Sequence, residues 1–500
     1  PAVERHEPAG SGWRSWLAQP TWVYGLVVLA MVAGGGLRFA NLAGVPPGLN
    51  QDEAVYAYDA YSLFHTGRDH HGHPFPWAGV ESFGPFSGSV LSFIEAPFVG
   101  ILGLRVEVVR GVSAGVDLLL VPIIVLLAVE LFESWLVGVV AAWIVALLPW
   151  AVENARFANL PAIVPSLDAL AILVLVYALR HRSSRAIVAA AVAGCVAMAT
   201  YHTMKVYLPL LVVAAVPLFW RRVRALSREA IAYALLVALF LGGPVLFLTA
   251  FDPGGRARAD GTMAQQPALG DLAHQYLSYF SRHFLFIWGD QQLTRAPLGS
   301  GVLPWALAPL LAAGMVALFL SIARPATPWH RSVALFMLAA LALYPFPGFF
   351  TLPAPLGVRA VHLIPIAALI AALGVASLIA WTTRLARRFR PRLPALLPLA
   401  WLIPVLVWFG VETGRQFQTY FTAYPSQVYG RFNAGLDDAV RYALAHQSEY
   451  DQIWIADTNQ PYIFVLFYAA WPPSDVHARL NASIDAEWND RVSSIGNLFF

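Results

Sequence analysis

The chain has 500 residues, of which 58% are hydrophobic and only 12% are charged, and its mean hydropathy is +0.61. Soluble domains carry roughly 25% charged residues, so the composition excludes a large soluble protein and predicts a membrane protein that crosses the bilayer about eleven times. The net charge of +3 comes from arginines at the ends of apolar segments, which orient a membrane protein and argue against nucleic-acid binding.

Apolar segments of roughly bilayer length recur from residue 22 to residue 411. The first is too long for the core of a signal peptide and no small-residue cleavage site follows it, so we expect a retained span after a cytoplasmic tail, residues 1–21. Residues 22–411 would form the membrane module. The segments lie at 22–43, 88–104, 111–131, 135–151, 160–179, 186–201, 206–220, 229–250, 302–323, 332–350, 360–381 and 395–411.

Short arginine-rich loops separate several of these segments, and the positive-inside rule predicts that they are cytoplasmic. The loops between them, including residues 45–87, 202–205 and 251–300, and everything after residue 411 would then lie outside. The basic loops are residues 180–185, 221–228, 324–331 and 384–392.

The N-terminal third does not fit this alternation directly. Arg5 and Arg14 place the N-terminus inside, and Arg105 and Arg110 suit a cytoplasmic turn. Three apolar segments then lead to the next cytoplasmic loop, and three full crossings cannot join two loops on one side. One of the segments 111–131, 135–151 and 160–179 must therefore fail to cross fully. We prefer one net crossing by residues 111–151, which would leave Arg156 outside.

The tail, residues 412–500, is predicted to form a small extracytoplasmic α/β domain. Residues 430–446 have the pattern of an amphipathic helix, residues 451–457 that of a buried strand, and residues 461–470 that of a second helix. The chain stops without an obvious terminal element, so a truncated domain stays open. Asn481-Ala-Ser483 matches a short glycosylation sequon.

The first outer loop carries a carboxylate pair, Asp52 and Glu53, followed by Tyr56 at helical spacing. Such a pair suits proton abstraction from a hydroxyl, but carboxylates are also favoured at a helix start by the dipole, and both interpretations stay open. The same loop contains His70-His71-Gly72-His73, whose spacing is not a standard metal-ligand pattern.

Three cations are predicted at outer span ends. Lys205 is the only lysine among 32 Lys and Arg residues, and a compact ammonium binds phosphate as a point charge. Arg156 and Arg359 lie on the face that the positive-inside rule disfavours, so a specific partner is expected. For all three the alternative is a side chain that snorkels to the interface.

The long outer loop, residues 251–300, lacks a linker composition and suggests a lid or a substrate-contacting element. Together with the carboxylates and cations, it gives the outer face what a reaction on a lipid-linked phosphate requires. The carboxylate removes a proton from the attacking hydroxyl, and the cations stabilise the departing phosphate.

Several stretches resemble, in order, the GT-C glycosyltransferases, and among these the branch of bacterial aminoarabinose transferases and protein O-mannosyltransferases (glycosyltransferase families 39 and 83). The resemblance covers about residues 25–380. The stretches are GLNQDEAVYAYDAYSLFHTGRDHHGHPFPW, ESFGPFSGSVLSFIEAPFVGILGL, ENARFANLPAIVP, TYHTMKVYLPLL, FLFIWGDQQLTRAPLGSGVLP and PLGVRAVHLIPIAALIAALG.

The resemblance implies an all-α polytopic GT-C fold of about 11–13 transmembrane helices, placed in a bacterial cell membrane. It also implies inverting transfer of a hexosyl or pentosyl group from a polyprenyl-phosphate-sugar to an acceptor on a glycan, lipid or protein, at the extracytoplasmic face. Asp52 would be the base with Glu53 as its partner, and Lys205, Arg156 and Arg359 would contact the phosphate. Further substrate contacts are expected from Tyr56, His70, Tyr201, His202, Asp290 and Arg295.

One departure from the family pattern keeps other functions open. Relatives often have a lysine in the stretch that matches residues 83–89, and this chain has none there. An inactive protein that binds lipid-linked sugar is therefore one alternative, and a transporter or flippase with ionisable groups such as Glu95 inside the membrane is another. No cofactor is firmly implied, and a divalent metal stays open.

Overall fold

The computed structural model describes residues 21–260, 268–297, 299–389, 399–456, 460–479, 481–484 and 490–500. The predicted cytoplasmic tail, with Arg5 and Arg14, and the end of the basic loop at 384–392 lie outside these residues. The described chain is predominantly helical. In the membrane module the helices are α1 (Thr21–Phe39), α2 (Gln51–Thr66), α3 (Val90–Leu102), α4 (Val106–Leu118), α5 (Leu120–Phe132), α6 (Trp135–Leu147), α7 (Pro149–Ala155), α8 (Leu160–His181), α9 (Ser184–Met198), α10 (Met204–Leu218), α11 (Trp220–Val223), α12 (Arg228–Val237), α13 (Gly243–Ala250), α14 (Pro253–Asp260), α15 (Leu269–Ser278), α16 (Ala308–Ala323), α17 (Pro328–Leu343), α18 (Phe346–Phe349), α19 (Leu363–Phe389) and α20 (Leu402–Thr422).

Short irregular helices and one hairpin complete this module. A two-stranded antiparallel hairpin, β1 (Val80–Glu81) and β2 (Phe86–Ser87), follows α2. A π-helical turn at Ala238–Gly242 joins α12 to α13. A second π turn and two 3₁₀ turns lie at His283–Ile287, Trp305–Leu307 and Gly357–Arg359.

In the described part of the chain, seven helical stretches are long and apolar enough to span a membrane, or eight if α6 and α7, bent by 58°, form one span. Side-chain contacts show which helix ends meet. Arg180 donates to the carbonyls of Val129 and Glu130, Arg222 to the carbonyl of Arg180, and Trp329 to the carbonyl of Leu131. We call this the basic end, formed by residues 130–134, 180–185, 218–228 and 324–332.

The opposite end, which we call the site end, is formed by residues 37–53, 105–110, 156–159, 199–205 and 357–362. Arg110 reaches Glu53 there, and Arg156 reaches the carbonyls that follow α1. The shorter α9 and α10 also run between the two ends, and the C-terminal half of α20 reaches the site end at Tyr420, beside Arg156.

The predicted cytoplasmic turn at Arg105 and Arg110 is wrong. Arg110 pairs with Glu53 at the site end, so α3 does not cross. Its 13 residues span only about 20 Å at 1.5 Å per residue, which is short of the hydrocarbon thickness. Residues 106–132 and 135–155 each make a full pass, so the predicted single crossing of residues 111–151 is also wrong, although Arg156 does lie at the site end.

A buried ion pair lies inside the helix bundle. Arg38, near the end of α1, donates its Nε to Asp117 Oδ2 at 2.8 Å, and both side chains are fully buried. Its terminal nitrogens donate to the carbonyls of Val145 and Ala146. An arginine inside a membrane bundle needs such partners because an unpaired charge there is costly.

The tail forms a small α/β unit at the site end. It contains α21 (Tyr424–Val428), α22 (Leu436–Ala445), α23 (Pro461–Ala469) and α24 (Pro473–Arg479). A four-stranded sheet has the order β3-β6-β5-β4, with β3 and β6 parallel and the other pairs antiparallel. Its strands are β3 (Ile453–Trp454), β4 (Asn481–Ile484), β5 (Asp490–Ile495) and β6 (Leu498–Phe499).

Three of the tail predictions can be compared directly with the structure. The amphipathic helix predicted over residues 430–446 is shorter, because a 3₁₀ turn at Tyr429–Phe432 precedes α22 at Leu436–Ala445. The predicted helix over residues 461–470 is confirmed by α23, which is buried along most of its length. The strand predicted over residues 451–457 is reduced to Ile453–Trp454 at a sheet edge, where the Trp454 side chain is exposed. An edge strand keeps one side chain in contact with solvent, which the apolar pattern did not show.

Candidate functional site

Helix α2 presents Asp52 in its first turn. Asn50 caps the helix, since its side chain accepts the Asp52 amide and its own amide donates to Glu53, forming a capping box. The Asp52 side chain is partly exposed, and its Oδ2 accepts a hydrogen bond of 3.0 Å from Asn159 Nδ2. The second oxygen of Asp52 can therefore face a substrate while the first is held in place.

Glu53, the other member of the carboxylate pair, is fully buried and makes a two-point ion pair with Arg110. The distances are 2.7 Å from Nε to Oε1 and 2.9 Å from NH2 to Oε2. Glu53 also accepts the amide of Ala158. The same guanidinium donates to the carbonyls of Leu42, Pro46 and Gly48. Glu53 therefore anchors the loop before α2 and the turn before α8, and its charge is balanced.

Asn159 is a site residue that the sequence reasoning missed. It is the N-cap of α8, where its Oδ1 accepts the Leu160 amide at 2.6 Å, and this bond fixes which way the amide group points. The remaining Nδ2 donor is directed at Asp52. An Asn directly before a Leu-Pro helix start is a recognisable cap signal, but sequence alone does not show its link to a residue 107 positions away.

Lys205 lies in the first turn of α10, and its Nζ donates to Thr249 Oγ1 at 2.7 Å. The faces of α10 and α13 below these two residues line an apolar groove with about 1200 Å³ of empty space. Leu208, Pro209 and Val212 follow Lys205 at helical spacing, and Leu246 lies one turn before Thr249. Lys205 and Thr249 therefore lie about one helical turn beyond the residues that line the groove, at the site end.

Cys195, the only cysteine in the chain, lies in the wall of this groove. It belongs to α9 and is buried, and its sulfur contacts the Val237 carbonyl at 3.9 Å, beside the π turn. The π turn itself contributes Ala238 to the groove wall. Single π turns are frequent at functional sites in helices.

Asp290 joins the loop after α15 to the turn that carries Arg359. The buried carboxylate of Asp290 accepts the amides of Gln292 and Gly357, the latter at 2.8 Å. Burial raises the pKa of Asp290, while these amides and the charge of Arg295 lower it. Asp290 thereby fixes the 3₁₀ turn that carries Arg359, whose guanidinium donates to Thr351 and to the Pro353 carbonyl.

A buried polar chain connects the segments of Arg359 and Lys205, and the sequence reasoning did not single it out. His362 Nδ1 lies 3.2 Å from Asp168 Oδ2, and its Nε2 lies 3.0 Å from Thr203 Oγ1. The imidazole also stacks on Tyr207, with ring centroids 4.2 Å apart. The chain ties α8, α10 and the start of α19 together at the site end.

Arg156 is placed differently from the other predicted cations. It is fully buried, and its terminal nitrogens donate to four backbone carbonyls, while the guanidinium lies over the rings of Tyr420 and Phe421. These contacts attach the turn after α7 to the end of α1. The four carbonyls belong to Leu37, Arg38, Asn41 and Val45.

The other predicted substrate contacts are distributed along the site end. Tyr56 is buried on α2, and the rings of Tyr201 and His202, just before Lys205, have centroids 3.9 Å apart and are tilted by 48°. Arg295 lies 4.7 Å above the ring of Phe157. The Lys205 amide donates to the His202 carbonyl at 3.2 Å, so His202 belongs to the turn that carries Lys205.

His70 lies beyond the far end of α2, away from Asp52. Its Nδ1 is 2.7 Å from Asp59 Oδ1, and both groups are fully buried beneath the tail helices. Burial raises the pKa of Asp59, and the neighbouring imidazole opposes this effect. Among the described residues, no group of three or more His, Cys, Asp or Glu side chains is arranged to hold a metal ion.

No protein-family model matches the chain, and no curated protein matches it by sequence. Solved structures do match in three dimensions. The chain is similar to the oligosaccharyltransferase of Archaeoglobus fulgidus in a complex with a tethered acceptor peptide, with 12% identity, a TM-score of 0.57, and coverage of 91% of this chain and 64% of that protein. The chain therefore spans less than two thirds of that enzyme.

A second similar structure is ArnT from Cupriavidus metallidurans in the apo state, an aminoarabinose transferase. The identity is 14% and the TM-score 0.54, with 90% of this chain and 85% of ArnT covered. Both proteins have the GT-C fold, which confirms the fold expected from the sequence resemblance. The chain is a multi-pass membrane protein with the GT-C fold.

Proposed function

We propose that the protein is a membrane glycosyltransferase that moves a sugar from a polyprenyl-phosphate donor to an acceptor hydroxyl, with Asp52 as the general base. The observation that carries the proposal is the contrast between adjacent carboxylates. Glu53 is buried and neutralised by Arg110, whereas Asp52 is partly exposed and oriented by a single neutral amide. A general base needs this combination of a fixed position and an oxygen open to a substrate.

The donor lipid would occupy the apolar groove between α9, α10 and α13. An isoprenoid chain fits its almost wholly apolar walls, and the phosphate would lie against Lys205 at the site end. Arg359 would supply a second cation, because the polar chain through His362 holds its segment next to that of Lys205. The archaeal oligosaccharyltransferase of similar fold has been solved with a dolichol-phosphate, which supports a lipid phosphate as the ligand class.

The reaction would be a single displacement. Asp52 takes the proton of the acceptor hydroxyl while that oxygen forms a bond to the anomeric carbon, and the bond from this carbon to the phosphate oxygen breaks. Lys205 and Arg359 stabilise the negative charge left on the polyprenyl phosphate. A retaining mechanism by double displacement needs a second carboxylate as nucleophile. Glu53 is tied to Arg110, so inversion is the expected outcome.

The reaction would take place on the extracytoplasmic side of the cell membrane. Arginines concentrate at the basic end, whereas Asp52 and Lys205 lie at the site end. The positive-inside rule assigns the basic end to the cytoplasm. The tail domain would then stand outside the membrane above the donor site.

The test is transfer by the purified full chain in lipid nanodiscs, with synthetic polyprenyl-phosphate hexoses and pentoses as donors. Release of polyprenyl phosphate and the anomeric configuration of the product are measured. Asp52→Asn should reduce kcat by about 10²-fold or more, while Gln51→Ala, next to it on the same turn, should retain activity. Near-normal transfer by Asp52→Asn would refute the base assignment, and no transfer from any donor by the wild-type protein would favour an inactive binder.

A further inference from the structure

Two cavities meet at Arg105 and Glu107, on the side of α4 that faces away from the donor groove. The first has about 1060 Å³ of empty space and lies along the outer faces of α3 and α4. Its walls are apolar and reach the end of α1 at Phe39. The second has about 750 Å³ and lies between the start of α4 and the tail helices α22 and α23. Its lining is mainly polar.

The apolar cavity has the character of a groove for hydrocarbon chains. Gly111 and Gly115 form part of its floor, and a Cβ built on either would find its nearest neighbour 4.0 or 3.9 Å away. Packing therefore does not require glycine at either position, and the space above them stays open. The rim is made by exposed apolar side chains, among them Phe98 and Leu102. At membrane depth, this patch faces lipid.

The polar cavity offers matched charges of both signs. Arg105 and Arg441 line it together with Glu107 and Asp437, so its formal lining charge is zero. The pairs within the set are loose, at 3.8 Å from Arg105 to Glu107 and 3.3 Å from Arg441 to Asp437. Both arginine side chains are about two-thirds exposed, at 66% and 64%. Their remaining donors can reach a ligand in the cavity.

We propose that these cavities form one binding site for a zwitterionic phospholipid that carries a primary ammonium group. Its acyl chains would lie over Gly111 and Gly115, and its headgroup would enter the polar cavity. Arg105 and Arg441 would bind the phosphate, because guanidinium groups match phosphate oxygens with paired donors. Glu107 and Asp437 would accept hydrogen bonds from the ammonium, which has three donors.

The charges that line the polar cavity favour a headgroup with a primary ammonium over the other common phospholipid headgroups. A purely anionic headgroup would satisfy the two arginines but leave Glu107 and Asp437 facing negative charge. A quaternary ammonium has no N–H to donate to the two carboxylates, so a choline headgroup would lose those hydrogen bonds. The site lies apart from Lys205 and the donor groove, and it would bridge the membrane helices to the tail domain through Arg105 and Arg441.

The first experiment is photocrosslinking of the full chain in nanodiscs with phosphatidylethanolamine that carries a diazirine on one acyl chain. Peptide mapping should place the label on residues 90–119. Unlabelled phosphatidylethanolamine should compete about tenfold better than phosphatidylcholine or phosphatidylglycerol, a ratio expected from one or two charge-assisted hydrogen bonds. Soluble glycerophosphoethanolamine should compete weakly, because it lacks the chains.

Variants test the two halves of the site separately. Glu107→Gln with Asp437→Asn should remove the headgroup preference, because these two carboxylates distinguish the primary ammonium from the other headgroups, whereas Glu229→Gln beside the basic end should retain it. Gly115→Leu should fill the groove and reduce labelling about tenfold, and Gly25→Leu, a lipid-facing glycine outside the groove with no neighbour within 4 Å, is the matched control. Thermal unfolding of each variant confirms that the fold is retained.

Two outcomes would overturn the proposal. The first is equal competition by all three lipids, and the second is labelling that Gly115→Leu leaves unchanged. Neither outcome depends on sugar transfer, so the site can fail while the glycosyltransferase proposal stands, and the reverse also holds.

Discussion

Arg110 and Glu53, which are 57 residues apart in the chain, form a fully buried ion pair with two hydrogen bonds that joins α2 to α4. We predict that Glu53→Gln destabilises the protein by about 3–5 kcal/mol, because it leaves a buried guanidinium without its counter-charge. Thermal unfolding in detergent measures the effect. Asp52→Asn is the control and should unfold near the wild-type temperature, since Asp52 is partly exposed. Equal unfolding temperatures for the two variants would contradict the structural role of Glu53.

Asn159→Ala should lower kcat about tenfold and leave the KM for the lipid donor unchanged, since the amide orients Asp52 and contacts no cation of the donor site. Steady-state kinetics with varied donor concentration measures both constants. The lost N-cap adds a stability cost of about 1 kcal/mol, so Asn159→Ser is the control that keeps a cap. If Asn159→Ser restores kcat fully, the hydrogen bond to Asp52 is not what matters.

Lys205 and Cys195 allow donor binding to be measured without turnover. Polyprenyl phosphate should slow alkylation of Cys195 by a membrane-permeant maleimide, because the thiol lies in the groove wall. Lys205→Gln should weaken this protection about tenfold, since a charge-assisted contact to phosphate is lost. Lys205→Arg should keep most of it. Cys195→Ser reports background labelling, and a lipid phosphate that leaves the labelling rate of the wild-type protein unchanged would place the donor elsewhere.

Arg156→Lys should reduce stability rather than donor affinity. A lysine has one nitrogen and cannot reproduce the fork of NH1 and NH2 that binds four carbonyls, so a loss of about 2–3 kcal/mol is expected. Unfolding and the Cys195 protection assay give the two readouts. An unchanged unfolding temperature with weakened protection would instead support the phosphate contact predicted from the sequence.

The loop after α2 should become less stable as the pH rises above neutral. A hydrogen bond from His73 to Asp69 at 3.0 Å raises the pKa of His73, and the Asp69 and Glu81 charges add to this, while burial and His70 oppose it. Because the folded state favours protonated His73, the stabilisation is complete below the unfolded pKa of about 6.5. It is lost as the pH rises through the raised folded pKa.

Hydrogen exchange of residues 68–75, corrected for the intrinsic pH dependence of exchange, should therefore show stronger protection at pH 6 than at pH 8.5. His73→Gln removes the titrating imidazole and should flatten this difference. His71 also lies near Glu81, with 4.0 Å between His71 Nε2 and Glu81 Oε1. His71→Gln is therefore the control for the loss of a neighbouring imidazole. An undiminished pH difference in His73→Gln would assign the effect to another group.

The sequence predicted the helical class and the basic loops, because apolar length and arginine position are local properties of the chain, and the family resemblance predicted the GT-C fold. It misplaced Arg105 and Arg110, since an arginine at a helix end looks the same whether it faces the cytoplasm or pairs with a buried glutamate. Only the folded structure shows that the guanidinium of Arg110 forms an ion pair with Glu53.

The predicted site residues stay predictions, and the structure shows which of them have signals in the local sequence and which of their partners do not. Asp52 and Lys205 were identified from an isolated acidic pair and a solitary lysine, and the structure places both at the site end. Thr249 and His362 gave no signal, because each acts through a partner far away in sequence: Lys205, 44 residues away, and Asp168, 194 residues away. Long-range pairing of this kind has no local pattern.

The buried pair of Arg38 and Asp117 has a consequence for biosynthesis. Arg38 belongs to the first described helix, but its carboxylate partner follows 79 residues later and its carbonyl partners 107 and 108 residues later. A nascent chain that ends before Ala146 therefore carries Arg38 without its complete set of partners. The first span gains its stable position only when α4 and α6 have been inserted beside it, so the N-terminal helices are assembled as a group rather than one at a time.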